Sequence, residues 1–292
     1  MQLSHMADRE GLLSSFLRGE MRLSSSLMNK LKWGDSIRVN GKPEHTNFKV
    51  LPGDVITVNM EEPAPEYQAQ QGPLTVLYED DWLLAVDKPA GMLIHPSRAR
   101  NEGTLANYVM GYYEKTHQSS LFHPLTRLDR DTFGLVLLAK NAYTHTLLQQ
   151  MPVEKFYHAL TYGSPQEDAG TIALPIARKP LPSLLREVNP QGRESITEFK
   201  VLERRGQLAK LSLKAVTGRT HQLRVHCAYC GFPILGDPQY GSPACGRISK
   251  ELGLPGQLLC ARSLRLRHPV SGEPLVLTSQ MDVNFSDLKN ML

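Results

Sequence analysis

A proline- and glutamine-rich break near residue 70 most constrains how this 292-residue chain can fold. Residues 61–73 contain three prolines, three glutamines and no Leu, Ile or Val. A segment of this composition cannot bury an apolar face, which is typical of a linker. The sequence therefore predicts a small unit over residues 1–60, a linker over 61–73 and a larger unit over 74–292.

The small unit has the pattern of two helices followed by strands. Apolar residues at helical spacing begin at Leu12, and residues 23–34 form a second helical pattern with serines as the cap and Gly34 as the stop. Short apolar runs at 37–39 and 55–58 predict strands, and Asn40-Gly41 supplies a turn between them. The expected architecture is αα-β.

The larger unit is rich in strand patterns. Predicted strands lie at 82–86, 135–139, 157–162 and 207–216, and predicted helices lie at 105–115 and 142–150. Strands with few helices and no regular βαβ spacing favour an α+β domain around a mixed, largely antiparallel sheet.

Composition narrows the class of protein. The chain is 41% hydrophobic with a net charge of +4, which is ordinary for a folded protein and permits nucleic-acid binding. No apolar run approaches the roughly 20 residues that span a bilayer, and the first ten residues lack a secretory pattern. We therefore expect a cytoplasmic protein without a membrane span. Glycine patterns for dinucleotides or a P-loop are also missing.

The four cysteines raise the question of a metal site. Cys227 and Cys230 form a C-x-x-C, but Cys245 and Cys260 lie 15 residues apart and offer no second pair. The first pair falls in a helical pattern that puts both thiols on one apolar face. We therefore expect buried, reduced cysteines and no metal.

Two charged clusters lie beside predicted strands. Residues 127–131 carry Arg127, Asp129, Arg130 and Asp131 directly before the apolar strand at 135–139. A solvated turn held by ion pairs explains such a cluster as well as an active site does. The second cluster, residues 217–226, lies at the start of a predicted helix. Arg224 lies on this helix and, as a buried cation, needs a carboxylate partner.

These stretches together resemble the RluA-type pseudouridine synthases. The matching segments are residues 88–96, 127–132, 155–157, 217–226, 236–241 and 259–272, in the order found in that family. Residues 26–42 with 51–54 resemble the S4 RNA-binding module, which precedes the catalytic domain in some members. The resemblance implies an enzyme that isomerises uridine to pseudouridine in structured ribosomal or transfer RNA, without cofactor or metal. We expect a monomer.

The resemblance also implies roles for individual residues. Asp129 is the catalytic carboxylate, which either attacks the sugar or removes a proton from it, and Arg224 is its cationic partner. Tyr157 packs against the base and helps remove the C5 proton. Arg127 fills the gap left by the extruded nucleotide, and Leu223 packs beside the pocket. Further expected RNA contacts are Arg130, His95 and Arg219, and, on the S4-like unit, Arg22, Lys30, Lys32, Arg38 and Lys42.

The chain departs from the family pattern at three positions. Thr126 replaces a histidine, Phe133 replaces a serine and Ser195 replaces a small apolar residue. None of them removes the carboxylate or its cation, so we expect activity with altered substrate fit. Two alternatives stay open: a non-catalytic RNA-binding protein, and a hydrolase that uses Asp129 with Asp131 or Asp237.

Overall fold

The N-terminal unit is a small antiparallel sheet covered by two short helices. The structure, a computed structural model, describes residues 1–60, 67–97 and 100–289. The elements of this unit are β1 (Gln2–Met6), β2 (Gly11–Leu12), α1 (Leu13–Arg18), α2 (Ser25–Leu31), β3 (Ile37–Val39), β4 (Lys42–Pro43), β5 (Lys49–Val50) and β6 (Val55–Asn59). Four strands form a sheet in the order β1-β6-β3-β4, and β2 pairs with β5.

Local sequence explains both helices. Leu13, Phe16 and Leu17 are spaced so that α1 presents one apolar face, and all three are buried. The Ser24 hydroxyl caps α2 by accepting a hydrogen bond from the Leu27 amide at 3.2 Å. The two predicted helices and the predicted strands at 37–39 and 55–58 are confirmed. The expected αα-β order is incomplete, because β1 and β2 precede α1 and because β4 and β5 are additional short strands.

The larger unit contains the remaining strands and helices. They are β7 (Thr75–Glu79), β8 (Leu83–Lys88), α3 (Leu105–Lys115), β9 (His123–Pro124), β10 (Phe133–Ala139), α4 (Ala142–Gln149), β11 (Glu154–Tyr162), β12 (Ala169–Ala173), β13 (Ile176–Arg178), β14 (Arg186–Val188), β15 (Ile196–Arg205), β16 (Leu208–Ala215), α5 (Gln222–Tyr229), α6 (Pro243–Glu251), β17 (Leu259–Arg267), β18 (Pro274–Thr278) and α7 (Phe285–Lys289).

One ten-stranded sheet organises this unit. Its order is β12-β15-β16-β11-β17-β10-β8-β7, with β18 added beside β17 and β9 beside β10. The β10–β17 pair is parallel, and the other described pairs are antiparallel. The predicted α+β class with a mixed, largely antiparallel sheet is confirmed.

The two units touch through α4. Tyr143 and Leu147 of α4 are buried in the same apolar cluster as α1 and α2. The Tyr143 hydroxyl also donates a hydrogen bond to the Met21 carbonyl at 2.8 Å. Helix α4 is therefore the surface on which the N-terminal unit rests.

The segment predicted as a linker lies partly outside the described residues, which omit 61–66. Its second half runs along α3. The Gln70 amide donates to the Asn107 carbonyl at 3.0 Å, and the Asn107 side chain donates to the Gln68 carbonyl at 2.8 Å. Gly72 lies so close to Tyr108 that a Cβ there would sit 2.3 Å from the ring.

The prediction of a buried cysteine pair is wrong for one member. Cys227 is fully buried, whereas Cys230 is exposed. The reason is that α5 ends at Tyr229, so Cys230 is the C-cap and leaves the apolar face. Among the described residues, no cluster of three or more His, Cys, Asp or Glu could hold a metal ion. No helix in the described ranges is long and apolar enough to cross a membrane.

Candidate active site

A pocket of about 510 Å³ opens where β11, the loop before β10 and the start of α5 meet. Its lining comes from residues 94–95, 125–129, 132, 155, 157, 215, 217–224 and 259. Asp129 is the one carboxylate among these lining residues, and Arg127, Lys155, Arg219 and Arg224 supply positive charge. The pocket is therefore cationic around a single acid.

Asp129 is held by the guanidinium of Arg224. Nη1 of Arg224 donates to Oδ2 of Asp129 at 2.9 Å. Nε and Nη2 of the same guanidinium donate to the two carboxylate oxygens of Asp237 at 2.7 and 2.8 Å. The predicted pairing of Asp129 with Arg224 is thus present in the structure, and Asp237 is a second, unpredicted partner.

The three charged side chains of this network differ in how deeply they are buried. The side chains of Arg224 and Asp237 are only 5% and 1% exposed, while that of Asp129 is 29% exposed and faces the pocket. Burial alone would lower the pKa of Arg224, but the hydrogen bonds and charges of Asp237 and Asp129 outweigh it and raise that pKa. Arg224 is therefore a permanent cation, and Asp129 is the member of the network that substrate can reach.

Gln222 fixes the chain that leads into α5. Its side-chain oxygen accepts hydrogen bonds from the Thr217 hydroxyl at 2.8 Å and the Arg219 amide at 3.0 Å. Its side-chain nitrogen donates to the Ile196 carbonyl at 2.9 Å. Because Gln222 is buried, this network ties residues 217–221 to β15 and sets the direction of the helix that carries Arg224.

Lys88 holds the loop that carries Asp129 through hydrogen bonds to backbone carbonyls. This lysine ends β8, is fully buried, and donates to the carbonyls of Pro89, Met92 and Arg130, each at 2.9 Å. Burial lowers the pKa of Lys88 to about 8, although the charges of Asp131 and Asp129 oppose the shift. Sequence reasoning did not single out Lys88; the available signal was a lysine that ends an otherwise apolar strand.

Asp131, the neighbouring acid, turns away from the pocket. It accepts two hydrogen bonds from the Arg130 guanidinium, both at 2.9 Å. The side chain of Arg130 is 61% exposed and does not line the pocket. The structure therefore separates Asp129 from Asp131 and offers no carboxylate pair between them.

Tyr157 stands in the pocket wall on β11, opposite Asp129. Burial by the surrounding protein, with a contribution from the charge of Asp129, raises the pKa of Tyr157 to about 12. The phenol is therefore protonated at neutral pH. Leu223 forms an apolar part of the same wall.

The other predicted RNA contacts fall into two groups. Arg127, Arg219 and His95 line the pocket. Nε of Arg219 donates to the Glu194 carbonyl at 3.0 Å, and Nδ1 of His95 lies 3.1 Å from the Tyr67 hydroxyl. The second group lies on the N-terminal unit away from this pocket: Arg22, Lys30, Lys32, Arg38 and Lys42.

The positions that depart from the family pattern do not block the pocket. Thr126 lines it and accepts a hydrogen bond from the Leu137 amide at 3.3 Å. Phe133 packs instead against an apolar cluster that includes Leu235 and Cys260. The Ser195 hydroxyl is buried and donates to the Arg193 carbonyl at 2.9 Å. The ring of Phe133 therefore lies in that cluster and not among the residues that line the pocket.

Comparisons with known proteins identify the family of this chain. The model of the RNA pseudouridylate synthase family matches residues 82–229. An uncharacterized RNA pseudouridine synthase of Synechocystis is 36% identical, covering 91% of this chain and 84% of its own. Ribosomal large subunit pseudouridine synthase D of Haemophilus ducreyi is 34% identical, covering 87% and 82% respectively.

Solved structures show the same fold. The human RNA pseudouridylate synthase domain containing 4 aligns with a TM-score of 0.59 and 25% identity, over 75% of this chain and 92% of its own. Fold, cationic pocket and sequence matches together define an isomerase that acts on RNA. The chain belongs to the RNA pseudouridine synthase family, and it is of the RluA type.

Proposed function

We propose that Asp129 is the carboxylate that breaks the N1–C1′ bond of a uridine in RNA. The observation that carries this proposal is the network in which Arg224, itself held by Asp237, holds Asp129 at 2.9 Å at the mouth of a cationic pocket. An ionised carboxylate fixed in this way can either attack C1′ or remove a sugar proton. Both routes release the base with the electron pair of the broken bond.

The rest of the reaction moves the base without changing its composition. The detached uracil turns and C5 bonds to C1′; this step breaks the Asp129–C1′ bond in the first route and returns the removed proton to the sugar in the second. The C5 proton is then released to solvent, and N1 takes up a proton. No electrons leave the system, so we propose that the enzyme works without a metal or cofactor. Tyr157 packs against the base. Because its pKa is about 12, its hydroxyl takes part in the transfer of the C5 proton as a neutral phenol and not as a phenolate.

The target nucleotide must leave its helix to reach Asp129. Extrusion costs a few kcal/mol, which cations around the pocket offset by binding the phosphates. Arg127, Lys155 and Arg219 form no ion pair with any described residue and are available for this purpose. We propose that Arg127 occupies the vacated position and that Leu223 packs beside the base. His95 and Arg130 contact RNA at the edge of the site.

We propose ribosomal RNA as the substrate. The relatives from Haemophilus ducreyi and Vibrio cholerae are both named ribosomal large subunit pseudouridine synthase D, and this chain covers 82% and 78% of their lengths. We also propose that the enzyme acts as a cytoplasmic monomer.

The N-terminal unit, residues 1–60, is proposed as an S4-like RNA-binding domain joined through residues 61–73 to a catalytic domain over 74–292. Its acids Glu20 and Glu10 are paired with Arg9 and Lys49. Its other basic residues form no described ion pair and are left for phosphates: Arg18, Arg22, Lys30, Lys32, Arg38 and Lys42. Trp33, 81% exposed beside Lys32, adds an aromatic surface on which an unpaired base can stack.

The test uses RNA labelled with tritium at C5 of uridine, because pseudouridine formation releases that hydrogen. Ribosomal and transfer RNA would be prepared separately from cells that lack this protein. We expect tritium release from ribosomal RNA by the wild type and none from either RNA by Asp129→Asn. Release from transfer RNA alone would overturn the proposed substrate, and release by the variant would overturn the role of Asp129.

A further inference from the structure

His221 is a pocket residue that the proposed reaction has not used. Its Nε2 lies 3.9 Å from Oδ1 of Asp129, too far for a hydrogen bond but within reach of an atom bound between them. Asp129 already accepts from Arg224 through its other oxygen. No described residue accepts a hydrogen bond from Nε2 of His221, which faces the pocket.

The backbone of His221 is held in an uncommon conformation. It has φ of 56°, in the left-handed region, immediately before the first turn of α5. A residue with a Cβ is strained in this region, and such positions cluster at functional sites when the surroundings enforce them. Here the conformation brings the imidazole over the pocket beside Asp129.

Hydrogen bonding fixes which ring nitrogen carries the hydrogen. The Tyr240 hydroxyl accepts a hydrogen bond from the Arg186 amide at 2.8 Å and lies 2.8 Å from Nδ1 of His221. Among the described residues, Nδ1 is the acceptor that lies within hydrogen-bond distance of this hydroxyl, so we infer that the hydroxyl donates to Nδ1. Neutral His221 then carries its hydrogen on Nε2. Burial lowers the pKa of His221 despite the charge of Asp129, which favours this neutral form.

We propose that the Nε2–H of His221 donates a hydrogen bond to O2 of the target uracil while the N1–C1′ bond breaks. This proposal rests on the proposed role of Asp129 at the sugar. The departing base keeps the electron pair of the broken bond, and the charge spreads from N1 onto O2 and O4. O2 is the oxygen next to the broken bond, and so the one nearest to a donor beside Asp129. A fixed donor at such an oxygen stabilises the developing charge.

The same donor serves the second half of the reaction. A half turn of uracil about the axis through C6 and N3 exchanges N1 with C5 and O2 with O4. After the turn, O4 stands where O2 stood, and Nε2 of His221 can donate to it while the C5–C1′ bond forms. One donor therefore contacts the base before and after its rotation.

The test compares His221→Phe, His221→Gln and Tyr240→Phe in single-turnover reactions on a full-length target RNA. Phenylalanine removes the donor and should slow the reaction by about 10²–10³-fold, the usual effect of losing one such donor, with RNA affinity within about twofold. Glutamine keeps an N–H near the position of Nε2 and should recover part of the rate. Tyr240→Phe should reduce the rate less than His221→Phe does. Without the Tyr240 hydroxyl the hydrogen of His221 is no longer held on Nε2, but the imidazole and its N–H donor remain.

His117→Phe is the matched control, because His117 is exposed at the end of α3 and has the same φ of 56°. It should leave the rate unchanged. It should also show how much stability is lost when a histidine with a left-handed backbone conformation is replaced. A purely structural role for His221 would lower the melting temperature as this control does and leave the single-turnover rate intact. That result would overturn the proposal.

A substrate with 2-thiouridine at the target position identifies the acceptor, because sulfur accepts a hydrogen bond poorly. The sulfur in the substrate should slow the wild-type enzyme much more than it slows the His221→Phe variant. Equal slowing of both enzymes would contradict a contact to O2. Absence of wild-type activity on every RNA, or activity of Asp129→Asn, would instead reject the proposed function itself.

Discussion

Asp237 accepts two hydrogen bonds from the Arg224 guanidinium, at 2.7 and 2.8 Å, and both side chains are almost completely buried. This bidentate contact leaves Nη1 of Arg224 for Asp129, so the buried acid fixes the direction in which the cation meets the pocket acid. Asp237 is therefore proposed as a positioning residue that acts on Asp129 through Arg224.

Replacing Asp237 by Asn should destabilise the protein and slow the reaction. The change leaves a buried guanidinium short of one negative charge, and breaking such a pair costs about 3 kcal/mol or more of unfolding free energy. We expect at least a tenfold lower single-turnover rate. Asp131→Asn is the control for stability, since its partner Arg130 is on the surface and such pairs contribute at most about 1 kcal/mol. Equal destabilisation by the two changes, measured by urea unfolding, would contradict this account.

Replacing Lys88 by Met should lower the rate of catalysis more than RNA affinity. The change leaves three carbonyls without their lysine donor, including the buried one of Met92 and that of Arg130 next to Asp129. The matched control is Lys140→Met, because Lys140 is also buried and donates to Glu79 and the Asp80 carbonyl, away from the pocket. We expect both variants to unfold at lower urea concentration and only Lys88→Met to lose activity. A similar loss of activity in both would show a general effect of stability.

The pKa of about 8 at Lys88 gives opposite trends for activity and stability. Above pH 8 the amine loses one of its three donated hydrogens, so activity should fall as the pH rises through 8. The unfolded chain, with an ordinary lysine pKa near 10.4, binds more protons than the folded chain between these two values. The cost of burying the charge is thus fully present below pH 8 and is relieved between pH 8 and about 10.

The measurement is the unfolding free energy of wild type minus that of Lys88→Met as a function of pH. This difference should rise between pH 8 and 10 while wild-type activity declines. A difference that stays flat across this window would show that Lys88 does not titrate there.

The basic surface of the N-terminal unit should contribute to RNA affinity and not to the chemical step. Replacing Lys30, Lys32 and Arg38 by Ala should weaken binding and reduce the slope of log K against log salt by about 0.7 for each phosphate that the variant no longer neutralises. Trp33→Ala should weaken binding by about 1–3 kcal/mol if a base stacks on it. Lys49→Ala is the control, because Lys49 is paired with Glu10. An unchanged salt slope in the triple variant would contradict this role.

Several features of the fold and site followed from sequence alone. The apolar runs that became β8 and β10 and the pattern that became α3 were predictable, because burial imposes their composition. The pairing of Asp129 with Arg224 followed from the resemblance to a known family. Strand β1 was missed because Gln2–Met6 mixes polar and apolar residues and depends on β6 for its pairing.

Contacts between distant segments could not be predicted. The sequence identifies Asp237 as the acid of its loop, but the residues next to it in sequence do not indicate its two hydrogen bonds with Arg224. The contact of Tyr240 with His221 likewise depends on how the turn after β-bridge residue Ile234 folds back against α5. Cys230 was misplaced because the pattern did not show that α5 ends at Tyr229. Such contacts depend on tertiary packing, which short-range periodicity does not contain.

The most direct test of the central claim is site-resolved mapping of pseudouridine in RNA from cells that lack this protein, after treatment with wild type or Asp129→Asn. We predict new pseudouridine at defined positions with the wild type alone, while the variant folds and binds the same RNA with similar affinity. Pseudouridine formed by the variant at the wild-type positions would contradict the assignment of Asp129 as the reacting carboxylate.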